Sequence, residues 1–242
     1  MPPPDEQERR SLEPGLHIVA TPIGNLRDVT HRALEVLTHA TTIACEDTRH
    51  TVRLLQNYQI RNHLISLNEH NEARRIPEML SQMANGAAIA LVSDAGTPTV
   101  SDPGQRLAQA TVAAGLRLHP VPGPSAVLTA LSGSGLPVTP FYFGGFLPHK
   151  KGARGTELGA AIQRDCTSVY FESPYRIVST LEIIAELAPD HRVVVGRELT
   201  KRFEEFQRGA AHFLLKHYTN KPPKGEITLL IAPNELPKWI TW

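Results

Sequence analysis

Apolar positions along the chain fall into two alternating rhythms. Short, nearly unbroken runs have strand length: LHIVA (16–20), TIAC (42–45), HLIS (63–66), AAIALV (87–92) and LRLHPV (116–121). Between them, apolar residues recur every three or four positions, as in an amphipathic helix. Val29, Ala33, Val36 and Leu37 do so within 29–39, and Val52 and Leu55 within 48–57. Residues 71–84 keep the period despite Pro77, and 105–114 end at Gly115, a residue suited to a helix C-cap. AAIALV has no polar alternate, the mark of a strand covered on both faces. This alternation predicts a mostly parallel sheet with helices on both sides.

The segment VPGPSA (121–126), with two prolines and a glycine, interrupts the rhythm and marks a domain boundary. Beyond it the style repeats. FYFGGF (141–146), SVYFES (168–173), RVVVG (192–196) and EITLLIA (226–232) read as strands, about 153–164, 175–187 and 210–217 as helices, and KPPKG (221–225) as a turn. The expected organisation is two α/β domains, 15–122 and 123–242, behind a polar, Pro-rich tail over 1–14 expected to be disordered. That tail has no apolar core of a signal peptide, and the longest apolar runs, near seven residues, are too short to span a bilayer.

Composition adds constraints. With 41% hydrophobic and 20% charged residues in 242, the chain can bury a core without staples. Cys45 and Cys166 form neither a disulfide framework nor a metal-ligand spacing, which points to a reducing cytosol. A net charge of +1 excludes a protein that holds nucleic acid by bulk charge alone. The distribution is uneven. Residues 1–122 carry 11 basic against 13 acidic side chains, residues 123–242 carry 14 against 11, and every lysine lies in the second half. That leaves room for a local basic surface.

Ligands of open parallel sheets bind beyond the carboxyl ends of strands. Five post-strand loops are therefore candidates: TPIGN (21–25), CEDTRH (45–50), SDAGTPTVSDPG (93–104), PGPSA (122–126) and ESPYR (172–176). SDAGTPTVSDPG is the strongest. Its glycines allow close backbone approach and its hydroxyls offer hydrogen bonds, while Asp102-Pro103 reads as the start of the next helix. G-x-G-x-x-G, the P-loop, H-E-x-x-H and C-x-x-C are absent, so no dinucleotide, P-loop or zinc site is expected and no metal is assigned. His63, His70, His119 and His149 are scattered and read as surface or internally satisfied residues.

TPIGNLRDVT, EDTRHT, SDAGTPTVSDPG, PGPSA, ESPYR, RELTK and KGE occur in this order across residues 15–232. Together they resemble the small-subunit ribosomal RNA methyltransferase I family of the tetrapyrrole methylase superfamily, the class III methyltransferases that use S-adenosylmethionine (SAM). The resemblance implies two α/β domains with the cofactor cleft between them. It also implies methyl transfer from SAM to the ribose 2′-OH of a decoding-centre cytidine in 16S RNA. Cytoplasmic location, a homodimer, and either RNA or the assembled small subunit as substrate follow from the same resemblance. Ser93, Asp94 and Ala95 stand where the superfamily cradles the methionine end of SAM, with Thr97, Thr99 and Val100 continuing the wall. Pro22, Ser125 and Ala126 match further contacts, and Phe171, Glu172, Ser173, Glu226 and Ile227 match the adenosine side. Ser125 stands where close relatives often carry Cys.

A 2′-hydroxyl is a poor nucleophile at neutral pH, so a general base, or a cation for the developing alkoxide, would help. The sequence offers Asp47 and Arg49, Glu69 and His70, and Glu198 and Lys201, with Asp47 and Lys201 the first candidates. Arg49, Arg176 and Lys201 suit phosphate contacts, as do Lys150, Lys151 and Arg154 of HKKGARG (149–155), read as a flexible basic loop. Two other readings use the same fold. A methylase of corrins, porphyrins or the diphthamide precursor does not explain EDTR, ESPYR and RELTK. A ribosome-binding module without catalysis does not explain a SAM pocket.

Overall fold

The computed structural model describes residues 12–238 and 240. It divides into two compact units, one of residues 12–22 and Leu26–Pro124, the other of Ile23–Asn25 and the described residues from Ser125 onward. Residues 1–11 of the tail expected over 1–14 lie outside the described residues. Residues 12–14 are held in place: Leu12 packs on the core and Glu13 pairs with Arg117 at 2.6 Å.

The first unit holds β1 (Gly15–Val19), α1 (His31–His39), β2 (Thr42–Cys45), α2 (Thr48–Asn57), β3 (Leu64–Ser66), α3 (Glu72–Ala84), β4 (Ala88–Val92), α4 (Gln105–Ala113) and β5 (Leu118–Val121). The strands form one parallel sheet in the order β3-β2-β4-β1-β5. Side chains of β4 alternate between two apolar layers, as strand geometry requires. Ala90 and Val92 pack with Ala33, Val36, Leu37 and Leu55 of α1 and α2. Ile89 and Leu91 pack with Met79, Met83 and Leu107 of α3 and α4. All five β4 residues are therefore buried. The polar termini have local causes. Thr30 caps α1 by accepting the Ala33 amide, and Asp47 caps α2 by accepting the Arg49 amide.

The order also fixes where a ligand can enter. From β2 the chain runs through α2 to β3 on one side, and from β4 through α4 to β5 on the other. The connections diverge at the carboxyl ends of β2 and β4, which opens a crevice there.

The second unit holds α5 (Ala126–Ser134), β6 (Phe141–Phe146), α6 (Lys151–Ile162), β7 (Thr167–Glu172), α7 (Ile177–Leu187), β8 (Arg192–Arg197), β9 (Glu205–Ala210), α8 (Ala211–Asn220) and β10 (Ile227–Ile231). Its sheet, β6-β7-β10-β8-β9, is mixed and does not repeat the first. Only β6 and β7 pair parallel, while β10 is antiparallel to both β7 and β8, and β8 is antiparallel to β9. The expected mostly parallel arrangement fails here because β8 turns straight back into β9 without a crossover helix. β6, β7 and β8 consequently run the same way, and their carboxyl ends share one edge of the sheet.

Two elements had no periodic signal. EFQRGA makes β9, an edge strand whose half-exposed positions carry mixed polarity. AVLTALSGS makes α5, apolar on most sides, with Gly133 left bare where the Phe206 ring packs. Leu158, Leu181 and Leu214 of α6, α7 and α8 cover one face of the sheet. Val127, Ala130 and Leu131 of α5 cover the other, together with Ile23. Among the described residues no helix is long and apolar enough to cross a membrane.

Candidate active site

In the first unit, the loops after β1 and β4 are laced by a two-bond bridge. Thr21 and Gly96 exchange backbone N–H···O bonds of 2.9 and 3.0 Å. This holds Pro22, buried, beside the loop that begins at buried Ser93. The Ser93 hydroxyl donates to the Ala95 carbonyl at 3.2 Å, and the Thr97 hydroxyl to the Pro124 carbonyl at 3.2 Å. Ala95 and Val100 remain exposed. Thr99 and Ser101 take left-handed backbone conformations, φ 74° and 69°. Such conformations at non-glycine residues cost of order 1–3 kcal/mol each and collect at functional loops.

Asp94 spans the crevice: its Oδ1 accepts the Asp47 backbone N–H at 3.3 Å. The surrounding pocket, of about 840 Å³, is lined by Glu46, Asp47, Arg49, Asn68, Asp94 and Asp102 among others. Asp47 itself is fully committed. Besides capping α2 it grips the exposed Arg49 guanidinium at 2.7 and 3.1 Å. The Arg49 side chain and amide hold its carboxyl well below the ordinary carboxylate range. Asp47, a first candidate for the base, thus spends both carboxylate oxygens on Arg49.

Glu46 and Asp102 are two pocket carboxylates whose proton affinity is raised. Burial, reinforced by Asp94, raises the Glu46 carboxyl. Burial also raises Asp102, opposed by the Ser93 hydroxyl and reinforced by Asp94. Asp102 does not start α4. The N-cap is Gly104, at φ 108°, where a side chain would strike Leu91, and the first turn is closed by the buried Glu72 carboxylate accepting the Leu107 amide at 3.0 Å. Both carboxylates lie in loops flagged by the sequence, but the Arg49 clamp on Asp47 and the burial of Glu46 are what tell those two neighbours apart.

In the second unit, Ser125 is the N-cap of α5 and its hydroxyl makes no capping bond, while Ala126 opens the helix. Phe171 is half-buried, edge-on to Phe143 and Phe146 at 5.1 and 5.3 Å. Glu172, Arg176 and Ile227 depart from expectation. Glu172 is buried and spent on the Arg176 guanidinium (2.6 Å), the Thr180 hydroxyl (2.7 Å) and the Ser173 amide (2.7 Å). Arg176, expected at a phosphate, is thereby tied inward by this ion pair. Ile227 lies in the core, so its side chain is not offered to a ligand.

HKKGARG is not a flexible loop. Lys150 is the N-cap of α6, and Lys151 begins it, both exposed. Arg154 is 5% exposed and donates to the His149 carbonyl (3.4 Å) and the Ser179 hydroxyl (3.1 Å). At helical spacing it falls on the buried face and cannot be a peripheral phosphate contact. Arg154→Ala is expected to cost about 2–4 kcal/mol, roughly a 5–10 °C fall in Tm. The salt dependence of RNA binding should stay unchanged; a flattened salt slope with normal Tm would restore Arg154 to the RNA surface.

The RELTK segment is held in an unusual way. Glu198 and Thr200 have φ 51° and 64°. Lys201 Nζ lies 2.9 Å from Glu198 Oε1 and 3.1 Å from Glu226 Oε2, and Glu198 Oε1 also accepts the Glu226 amide at 3.0 Å. Two glycines leave room: a side chain on Gly24 would strike the Lys201 stem, and one on Gly225 the Glu198 carboxylate. Burial would lower the Lys201 ammonium, but the two carboxylates outweigh it and raise its pKa. Lys201 is thus a fixed cation and no general base.

Among the described residues no group of three or more His, Cys, Asp or Glu could hold a metal ion. The family described as Tetrapyrrole (Corrin/Porphyrin) Methylases matches residues 15–212. The chain is 47% identical to a ribosomal RNA small subunit methyltransferase I of Mesorhizobium japonicum, over 93% of this chain and 78% of that protein. It is 44% identical to one of Thermotoga maritima, over 91% of this chain and 99% of that protein. A crystal structure of diphthine synthase, 14% identical, matches with a TM-score of 0.71 over 92% of this chain and 91% of that one, a likeness of fold.

Proposed function

The chain belongs to the tetrapyrrole methylase family and, within it, to the ribosomal RNA small subunit methyltransferase I family, and from this we propose that it methylates a cytidine ribose 2′-OH of 16S RNA near the decoding centre, using SAM. The observation that carries the reading is the crevice at the carboxyl ends of β2 and β4. Asp94 bridges it, and Glu46, a carboxylate with raised proton affinity, lines it.

The donor set fits the cofactor. Asp94 offers a carboxylate to an ammonium group. The Ser125 hydroxyl and the first amides of α5, at the positive end of a helix, offer donors to a carboxylate. By the family resemblance, Pro22, Thr97, Thr99 and Val100 of the first unit, and Phe171 and the backbone around Ser173 and Glu226 of the second, are the further candidates for cofactor contact. When bound, SAM supplies a methyl carbon already activated by its sulfonium, with a thioether as leaving group.

The protein's part is to align the 2′-oxygen with that carbon and to manage one proton. Glu46 is the proposed acceptor of the hydroxyl proton as the O–C bond forms. Lys201 is the proposed cation that meets phosphate or developing alkoxide charge, and exposed Arg49 a phosphate contact. The two structural units are taken as the two domains. A cytoplasmic homodimer is also proposed. Phe141 and Tyr142, exposed on edge strand β6, offer it an apolar surface, and sedimentation mass checks it.

Transfer of labelled methyl from SAM to small subunits lacking the modification, followed by nucleotide mapping, tests the function. Label in one cytidine ribose is expected; no transfer to ribosomal RNA overturns the reading. The role of Glu46 has its own signature. kcat/KM should fall as pH drops through a pKa above the ordinary glutamate value of about 4.3. Glu46→Gln should lower the rate at neutral pH and abolish that limb, whereas an unchanged profile removes Glu46 from the chemistry. Folding moves the other way. Because the folded state holds this proton more tightly, the ionised carboxyl costs stability above its folded pKa, and the cost vanishes below the unfolded pKa. Glu46→Gln should therefore not lower Tm at neutral pH.

A further inference from the structure

We propose that Tyr175 and Phe203 form a stacking platform for unpaired bases of the RNA, on the carboxyl edge of the second sheet. The inference rests on the RNA-methyltransferase reading and specifies which form of RNA the surface takes.

Tyr175 is 96% exposed and Phe203 64% exposed, and neither belongs to a core cluster. Each is the tip of a loop: Tyr175 follows β7, and Phe203 follows β8. These strands run the same way on either side of β10, so the two loops leave one edge of the sheet. Two strand spacings put the ends of β7 and β8 about 10 Å apart. An aromatic ring left in water gains nothing for folding, and two on one edge form a surface that wants a flat partner.

Charge on that edge selects the partner. Lys150 and Lys151 follow β6, Arg202 precedes Phe203, and Lys224 leads into β10; all four are exposed. The Arg202 guanidinium lies 5.5 Å from the Phe203 ring centroid. Lys150 and Lys151 stand at the N-terminus of α6, where the helix dipole disfavours cations, and nearby phosphates would offset that cost. The acids of the edge are engaged: Glu226 with Lys201, and Glu204 with the Thr200 amide. Exposed rings interleaved with free cations suit single-stranded nucleic acid, whose bases offer faces that a duplex hides within its own stack.

The test measures binding of oligocytidylate and of an RNA duplex of equal length to the full chain. Wild type should prefer the single strand. Tyr175→Ala and Phe203→Ala should each weaken single-strand binding about 5- to 150-fold, with unchanged Tm and an unchanged salt slope. Tyr175→Phe should bind as wild type. Lys150→Ala with Lys151→Ala should instead flatten the salt slope. Alanine variants that bind like wild type, or equal affinity for duplex, overturn the platform. Failure of the function reading looks different: wild type would transfer no methyl to ribosomal RNA whatever the oligonucleotides show.

Discussion

Asp94→Ala is expected to weaken SAM binding by about 10- to 150-fold, the range for removing a charged hydrogen-bond partner, while RNA affinity changes little. Calorimetric titration measures it directly. Asp94 has two jobs that must be separated. It is a negative charge in the loop after β4, and its Oδ1 receives the Asp47 amide across the crevice. Asp94→Asn keeps an oxygen for that amide and removes the charge. If charge recognition matters most, Asn should lose nearly as much affinity as Ala. If lacing the two loops matters most, Asn should behave as wild type. A normally melting Asp94→Ala variant with wild-type affinity would show that this loop does not hold the cofactor.

Lys201→Ala is expected to lower kcat about 10²- to 10³-fold at saturating substrate, the usual loss on removing one preorganised charge-stabilising donor. KM should move far less, because the interaction strengthens in the transition state. The variant leaves Glu198 and Glu226 facing each other without their shared cation, so Lys201→Ala combined with Glu226→Gln controls for simple repulsion. The double variant should recover Tm and not kcat. Lys201→Arg restores charge but not position. The lysine stem lies where Gly24 leaves room for it, and a longer planar fork should recover only part of the rate. Loss confined to KM would make Lys201 an ordinary phosphate contact.

Much of this arrangement was legible in the sequence because period is a local property. The β2 run TIAC and the helix over 48–57 coincide with their observed limits. β9 was not legible. Its register comes from pairing with β8, a contact made through a turn with no sharp signal, and its side chains are mostly half-buried with no two-residue alternation to mark a strand. The mixed second sheet escaped for the same reason. Strand direction is set by connections, and apolar runs carry none of it. At the site, loop chemistry pointed to the right segments but not to the right atoms. Asp47 and Glu46 are adjacent carboxylates, and only the Arg49 clamp on one and the burial of the other distinguish them. Arg154 misled because a basic run looks alike in a loop and on a helix, where every third or fourth residue turns inward.

The three residues Ile23–Asn25 have a consequence for how such chains can be recombined. They sit near the start of the sequence, yet Ile23 packs among the side chains of α5, β7 and β8, and Gly24 makes room for Lys201. The second unit is therefore not a contiguous module. A gene fusion that swaps everything after Pro124 between homologues imports a core that expects one tripeptide and leaves it another, encoded a hundred codons upstream. Parental TPIGN segments would have to travel with the distant half, so a crossover near 124 inherits a packing mismatch wherever the parents differ at 23–25. Shuffling among these methyltransferases is constrained by a loop too short to look like part of anything.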